Sequence, residues 1–285
     1  MRRLLVSLLG AVVAVAMVIG VWRYVAGDRS ETELRILEVH GAVTLDDGTD
    51  KHLAASGEAL EADDHLATAE ASRVVLGLNG GTRIRIKPSS SVRVKAVDLD
   101  GVDLELEDGA LTATVRPESG AVRVGNGERE VVATRGEFAM GVSGGVMQVD
   151  AREGALILSG VDVTRVEEGQ QATVVDRHAE IASVPAELLL DVAWPAARRT
   201  RQELSTLTGT TVPGAKVVAR GRFGTRTTLA GVDGTFLIDL PLEEGDNDVK
   251  LTAIDPVGRS TEVSGRLQTR DTRAPTLRGG VEYGP

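Results

Sequence analysis

The chain contains no cysteine. Disulfides, thiol nucleophiles and cysteine-ligated zinc are therefore excluded. Aromatic residues make up only 2% of the sequence, so few rings are available to stack on bases or sugars. Positive charge is also in deficit. The 32 Lys and Arg residues stand against 42 Asp and Glu, giving a net charge of −10. This argues against a nucleic-acid partner, whose phosphates require clustered cations. The four histidines, His40, His52, His65 and His178, form no H-x-H or H-x-x-x-H pair of metal-ligand spacing. His65 follows Asp63 and Asp64, and its polarity is explained by a surface position. No glycine-rich loop ends in Lys-Ser or Lys-Thr as a phosphate-binding loop does. Nor does any carboxylate pair have distinguishable acid and base environments. No catalytic residue, no cofactor-binding residue and no cofactor is expected, and the chain is not expected to be an enzyme.

Long apolar runs are absent except for one at the start. Met1-Arg2-Arg3 is followed by the uncharged stretch from Leu4 to Trp22. As a helix this stretch would span about 28 Å, close to a bilayer core of about 30 Å. Trp22 and Tyr24 lie at its far end, where aromatic side chains favour the membrane interface. A cleaved signal peptide is the alternative. It fits less well, because Tyr24 stands where a small residue is wanted before Ala26. Arg2 and Arg3 are expected to stay cytoplasmic, and the bulk of the chain to lie outside a bacterial inner membrane as a single-pass protein. Arg23, on the other flank, opposes that orientation without reversing it.

Beyond the apolar run, period-2 alternation dominates. Ile84 and Ile86 alternate with Arg83, Arg85 and Lys87, and Val92 and Val94 with Arg93 and Lys95. Val102, Leu104 and Leu106 alternate with Asp103, Glu105 and Glu107. Shorter apolar runs follow at 111–115, 121–124, 131–134, 146–149 and 155–158, separated by turn signals such as Asn79-Gly80-Gly81 and Pro88-Ser89-Ser90. Many short strands at near-regular spacing imply an all-β body, sandwich or solenoid-like. Two segments are compatible with helix, 56–62 and 186–190. A change of texture near residue 185 marks a boundary. After it, Leu190, Val192 and Trp194 alternate as a strand, a basic patch follows at Arg198, Arg199 and Arg201, and a second set of strands begins at Leu204. The patch is explained as a solvated turn between domains, with a lipid-phosphate contact as the alternative.

Two stretches invite sharper readings. Gly141-Val-Ser143-Gly-Gly145 matches the G-x-S-x-G nucleophile elbow in its letters, but the elbow needs a helix after it. Here a strand pattern resumes at Val146, so a hairpin turn is expected. Asp98, Asp100 and Asp103 form the start of an acidic run that resembles a calcium loop. An EF-hand loop needs D-x-[DN]-x-[DN]-G and a Glu at its twelfth position. Gly101 instead follows Asp100 directly. A turn at 98–101 is expected, feeding a strand that points Asp103, Glu105 and Glu107 off one face. No metal is expected, calcium at Asp98, Asp100 and Asp103 being the alternative. If the basic rows of the preceding strands are neighbours, cross-strand ion pairs worth a few tenths to about 1 kcal/mol each should form.

The order of these runs supports a resemblance. Residues 41–175 resemble the FecR-type extracytoplasmic domain. The likeness is carried by GlyAlaValThrLeu at 41, the stretch from AspAspHisLeuAlaThr to ThrArgIleArgIleLys at 63–87, ValValAlaThrArgGlyGluPheAlaMet at 131–140, and Val166-Glu-Glu-Gly-Gln-Gln-Ala. Residues 188–276 resemble a bacterial immunoglobulin-like module of the glucodextranase B-like kind. Here the likeness lies in ThrGlyThrThrValProGlyAlaLysVal at 208–217 and in the run from AspGlyThrPhe to AspProValGlyArg at 233–259. Asp233-Gly234 is expected to form a hairpin turn, and Phe236, Ile238 and Leu240 an inner face.

The expected architecture is therefore all-β with one N-terminal transmembrane helix. Residues 1–30 form the cytoplasmic tip, anchor and linker. Residues 31–185 form a FecR-like sandwich or solenoid-like domain, 186–276 an immunoglobulin-like β-sandwich, and 277–285 a tail. The expected role is a non-catalytic envelope binding or scaffold protein, touching the inner membrane and an envelope protein or cell-wall partner. FecR resemblance implies the alternative of a transmembrane signalling regulator. Because only Met1, Arg2 and Arg3 precede the apolar run, such signalling is expected to pass through a separate membrane partner.

Overall fold

The computed structural model describes residues 32–196 and 198–273. The expected anchor, with Arg2, Arg3, Trp22 and Tyr24, and the expected tail at 277–285 lie outside the described residues. Among the described residues there is no α-helix, and no helix long and apolar enough to cross a membrane. The regular structure is β throughout, apart from a single 3₁₀ turn at Pro117–Ser119. The all-β expectation is met.

Alternation decides which side of each strand is buried. In Arg83–Ile86 the isoleucines are buried and the arginines exposed. In Ser91–Asp98 and Gly101–Val115 the Val and Leu positions are buried and the polar ones face outward. These inward residues build one continuous core, from Leu34 to Ala179, around Phe138, Leu104, Leu106, Leu111, Met140 and Met147. Full burial of each large side chain contributes about 1.5–3 kcal/mol.

Two sheets enclose this core. One runs, by hydrogen-bonded neighbours, through Ala59–Leu60, Leu34–His40, Arg73–Leu78, Arg83–Ile86, residues 109–115, Gly136–Ser143, Val146–Glu153, Gln170–Val175 and His178–Ser183. The other runs through Lys51–Leu53, Val43–Asp46, His65–Thr68, Ser91–Asp98, residues 101–108, Ala121–Asn126, Arg129–Ala133, Leu156–Ser159 and Arg165–Val166. Consecutive hairpins alternate between the two sheets in the later half. The order combines sandwich and solenoid character.

One strand belongs to both sheets. Gly101–Val115 pairs with Ser91–Asp98 in the second sheet and, past Gly109, with Arg83–Ile86 and Gly136–Ser143 in the first. The alternating runs at 102–107 and 111–115 are thus one strand bent at its middle. Gly109 has φ +89°, and a Cβ there would lie 2.3 Å from Ser90 Oγ. Ser90 is buried, and its hydroxyl accepts from Ala110 N at 2.9 Å. Ser90 N donates to Thr68 Oγ1 at 2.9 Å. The chain passes between sheets at 88–90 and again at 108–110, and this one serine pins both passages.

Beyond residue 185 a second core forms around Leu207, Val217, Ala219, Phe236, Ile238, Leu240, Val249 and Leu251. It lies between a three-stranded sheet (Leu190–Ala193, Leu204–Thr211, Thr235–Pro241) and a four-stranded sheet (Gly224–Leu229, Lys216–Gly221, Asp248–Ile254, Ser260–Arg266). Leu190, Val192 and Trp194 pack on this core, and Phe236, Ile238 and Leu240 face into it, as their alternation implied.

Three local expectations are corrected. Residues 56–62 are not helical: Gly57 N bonds Ile36 O at 2.7 Å, Ile36 N bonds Glu58 O at 2.8 Å, and Ala59–Leu60 pairs with Leu34 and Arg35. Residues 186–190 are not helical either, because the ladder with Thr208–Thr211 takes the backbone from Leu190 onward. Asp233-Gly234 does not close a hairpin. It turns the chain from the four-stranded sheet into the three-stranded one, with Asp233 Oδ1 accepting from Thr235 N at 2.9 Å.

The bend in Gly101–Val115 predicts a contrast between two glycines. Gly109→Ala should destabilise by roughly 2 kcal/mol or more, because it combines backbone strain with a steric clash against buried Ser90. Gly127→Ala has φ +65° but open space around its Cβ, so it should cost about 1 kcal/mol. Urea unfolding of the two variants measures the difference, and equal losses would contradict the account.

Candidate functional site

The C-terminal strands dock on the outer face of the first sheet. Residues 138–142 and 146–151 are buried without alternation, so both faces of these two strands are covered. Their inward side packs into the core through Phe138, Met140, Met147 and Val149. Their outward side meets the loop 255–259, which follows the strand Asp248–Ile254. A Cβ on Gly141 would lie 2.0 Å from Pro256 O, so only glycine admits this approach. Val257 is fully buried.

Charged and amide groups fill the middle of this seam. The side chains of Asp150 and Asp255 are 2% and 0% exposed, and that of Arg259 is 24% exposed. Arg259 Nε donates to Asp255 Oδ2 at 2.7 Å and lies 3.9 Å from Asp150 Oδ2. Arg259 N donates to Asp255 Oδ1 at 2.7 Å, and Nη2 donates to Gln171 Oε1 at 2.9 Å. Gln148 Nε2 bridges the two carboxylates, 3.2 Å from each. Lys87 Nζ donates to Val257 O. Two carboxylates, one guanidinium and one ammonium thus meet where Gln148 and Gln171 supply the linking amides.

Burial sets the electrostatics of the seam. It pushes the Asp150 carboxyl above its usual range, with Asp255 adding to the rise and Gln148 and Arg259 opposing it. Burial also lowers the Lys87 ammonium, helped by Arg152 and opposed by Asp255 and Asp150. Such a network is not by itself strongly stabilising. Its members cost desolvation when buried, and removing one partner strands the others.

The sequence-predicted positions lie elsewhere. Asp98, at the end of Ser91–Asp98, and Asp100, in the turn before Gly101–Val115, are exposed, and Asp98 Oδ1 accepts from Asp100 N at 2.8 Å. Asp103 sits on the strand itself. Among the described residues no group of His, Asp and Glu is arranged to hold a metal ion. The acidic row does lie beside a basic one. Lys95 Nζ is 3.6 Å from Glu105, and Arg93 Nη2 is 3.1 Å from Glu107. Arg83, Arg85 and Lys87 are not part of it: their strand pairs with residues 111–114 in the other sheet. Ser143-Gly144-Gly145 forms the hairpin turn between Gly136–Ser143 and Val146–Glu153. Arg199 pairs with Asp271 at 3.2 Å, and its short strand lies parallel to Thr269–Arg270.

A Ser, His and Glu do meet on the second sheet, a grouping that spacing could not reveal. His65 Nε2 lies 2.8 Å from Ser91 Oγ and 3.1 Å from Glu107 Oε2. Ser91 Oγ donates to the same Glu107 oxygen at 2.8 Å. The Ser91 hydroxyl, with His65 and Arg93, holds the Glu107 carboxyl below the usual range. In a nucleophilic triad the carboxylate orients one imidazole nitrogen while the other faces the hydroxyl. Here both partners share one nitrogen, and the serine hydroxyl donates its hydrogen bond to the carboxylate. The arrangement binds three strands together and does not activate the hydroxyl.

Comparison with known proteins places the larger sandwich. The profile of the family described as FecR protein matches residues 64–156. The match runs from the start of His65–Thr68 through the shared strand to Leu156, and includes Lys87, Gln148 and Asp150. No curated protein matches the chain. Two crystal structures of a putative anti-sigma factor from Parabacteroides distasonis, at 1.65 and 2.50 Å resolution, are similar at 18% and 19% identity. Each similarity has a TM-score of 0.37 and covers 42% of this chain and 58% of the other. The chain therefore spans little more than half the length of those structures.

The seam predicts two opposite outcomes at neutral pH. Arg259→Met leaves Asp150 and Asp255 buried without their cation and should cost about 3–5 kcal/mol. Asp150→Asn should be tolerated. Because burial raises the Asp150 carboxyl above its usual range in the folded state, the folded protein holds that proton more tightly than the unfolded chain. The Asp150 contribution to stability therefore falls as pH rises through the interval above about 4. Asp150→Asn removes that loss, so its stability relative to wild type should increase from about pH 4 to pH 7. Urea unfolding across this range checks the sign, and a relative stability that declines with pH would contradict it.

Proposed function

We propose that the chain is a FecR-like signalling regulator: a non-catalytic module, outside a bacterial inner membrane, that receives a partner and acts through a separate membrane protein. The observation that carries this reading is the FecR family match over residues 64–156, which falls on the larger sandwich. The membrane placement rests on the apolar run from Leu4 to Trp22, with Arg2 and Arg3 before it and Trp22 and Tyr24 at its end.

The seam favours a second reading, that of an envelope scaffold. A buried polar network fixes how one packed unit sits on another, and this is what a protein needs to present two surfaces in constant geometry. The immunoglobulin-like reading of residues 186–276 belongs here. Its support is a pair of sheets of three and four strands around one core. A scaffold would engage an envelope protein or cell-wall polymer rather than a signalling protein.

A crosslinker that does not pass the inner membrane separates these readings in intact cells. The regulator predicts a crosslink to an integral membrane signalling protein. Capture of peptidoglycan fragments or of a non-membrane envelope protein would favour the scaffold. Failure of the reagent to label the chain at all would overturn the extracytoplasmic placement.

A further inference from the structure

Beside the seam, the outer face of the first sheet holds a cavity of about 300 Å³. Strand register builds its floor. Arg85 lies between Val75 and Thr112, and Arg83 between Gly77 and Thr114. Two residues apart on one strand, the arginines project from the same face, with Cα atoms about 7 Å apart. Both are exposed. Among the described residues neither makes an ion pair or a side-chain hydrogen bond, and the Thr112 and Thr114 hydroxyls are equally unclaimed. The remaining walls carry charge of both signs. Arg152 is occupied by Glu137 at 2.9 Å. Glu38 borders the cavity on the opposite side, and Lys87 closes the end nearest the seam.

Elsewhere on the sandwich Arg93, Lys95 and Arg177 have carboxylate partners, whereas among the described residues Arg73, Arg116, Arg123 and Arg135 have none. The site at Arg83 and Arg85 is set apart by two such guanidiniums on one strand, lining one partly open cavity with two hydroxyls and no carboxylate partner. A guanidinium presents paired N–H donors that fit the oxygens of a carboxylate or phosphate, and adjacent hydroxyls supply neutral donors. A volume near 300 Å³ lies at the small end of ligand pockets. Extended polyanions fit poorly, because their flanking charges would meet Glu38 and Glu137 and the negative field of the whole chain.

We propose that Arg83, Arg85, Thr112 and Thr114 form a binding site for a compact oxyanion, a small ligand presenting one carboxylate or phosphate group. The site goes beyond the regulatory reading and does not depend on it. Arg83 and Arg85 would grip the anion from one strand, and the threonines would donate from the next. Lys87 would add its charge from the side of the seam.

Calorimetric titration of the full-length protein tests this, with inorganic phosphate and with acetate as separate probes at a constant ionic strength set by chloride. At least one probe should saturate a single site with a Kd of about 1 mM or tighter. The tighter probe identifies the anion class. Replacing both arginines (Arg83→Gln with Arg85→Gln) should weaken binding tenfold or more. Arg85→Lys, which keeps the charge but loses the planar fork, should weaken it by a smaller factor. Arg226→Gln, on the C-terminal strands, should leave it unchanged. The proposal is overturned if neither probe saturates, if the double variant binds as wild type does, or if only an anionic polymer or anionic vesicles bind.

Discussion

The structure turns on a small polar contact: Arg259 held between Asp255 and Asp150, with Gln148 bridging the two carboxylates. Everything around it follows from the need to bury these groups together. The sheet face beneath must be flat and small enough for a loop to reach it, which is why Gly141 stands opposite the Pro256 carbonyl. The strands Gly136–Ser143 and Val146–Glu153 must be covered on both sides. Lys87 must turn toward Val257 instead of solvent. Apolar residues alone would have permitted several docking angles. A guanidinium that must satisfy one carboxylate, approach a second and meet an amide permits few.

Much of the fold was legible in the chain. Alternation at 83–87, 92–95 and 102–107 gave the strands and their buried sides, because a half-covered sheet leaves a period of two in its sequence. The same alternation placed Asp103, Glu105 and Glu107 on one outward face; that Arg93 and Lys95 lie beside them was a condition the pairing of Ser91–Asp98 with Gly101–Val115 fulfils. Alternation could not say that the strand carrying Arg83 and Arg85 joins the other sheet, since pairing partners are set by three-dimensional order. The bend at Gly109 made one strand look like two. At 56–62 and 186–190 brief helical patterns lost to backbone ladders whose partners lie about 20 to 26 residues away.

The seam was harder to see, although it left a trace. The runs 138–142 and 146–151 do not alternate, which is how strands covered on both faces read. Asp150 inside the second run is then out of place, and a buried carboxylate calls for a cation. What hid the partner was distance: Asp255 and Arg259 lie more than 100 positions further on, within a stretch already explained as part of an immunoglobulin-like module. The charged cavity escaped for a similar reason. Arg83 and Arg85 were read as part of an outward basic row that could pair with the acidic one, and only their cross-strand neighbours Thr112 and Thr114 show that they line a cavity instead.

The central claim is that the polar seam holds the two packed units in one orientation. The absence of cysteine allows a direct measurement, because spin labels attach only where a thiol is introduced. Labels placed through Glu180→Cys on the larger sandwich and Thr227→Cys on the C-terminal strands, both exposed positions, report the distance between the units by pulsed electron resonance. A single narrow distribution that broadens on Arg259→Met is the predicted result. A broad distribution in the otherwise unaltered chain, insensitive to Arg259→Met, would contradict the account.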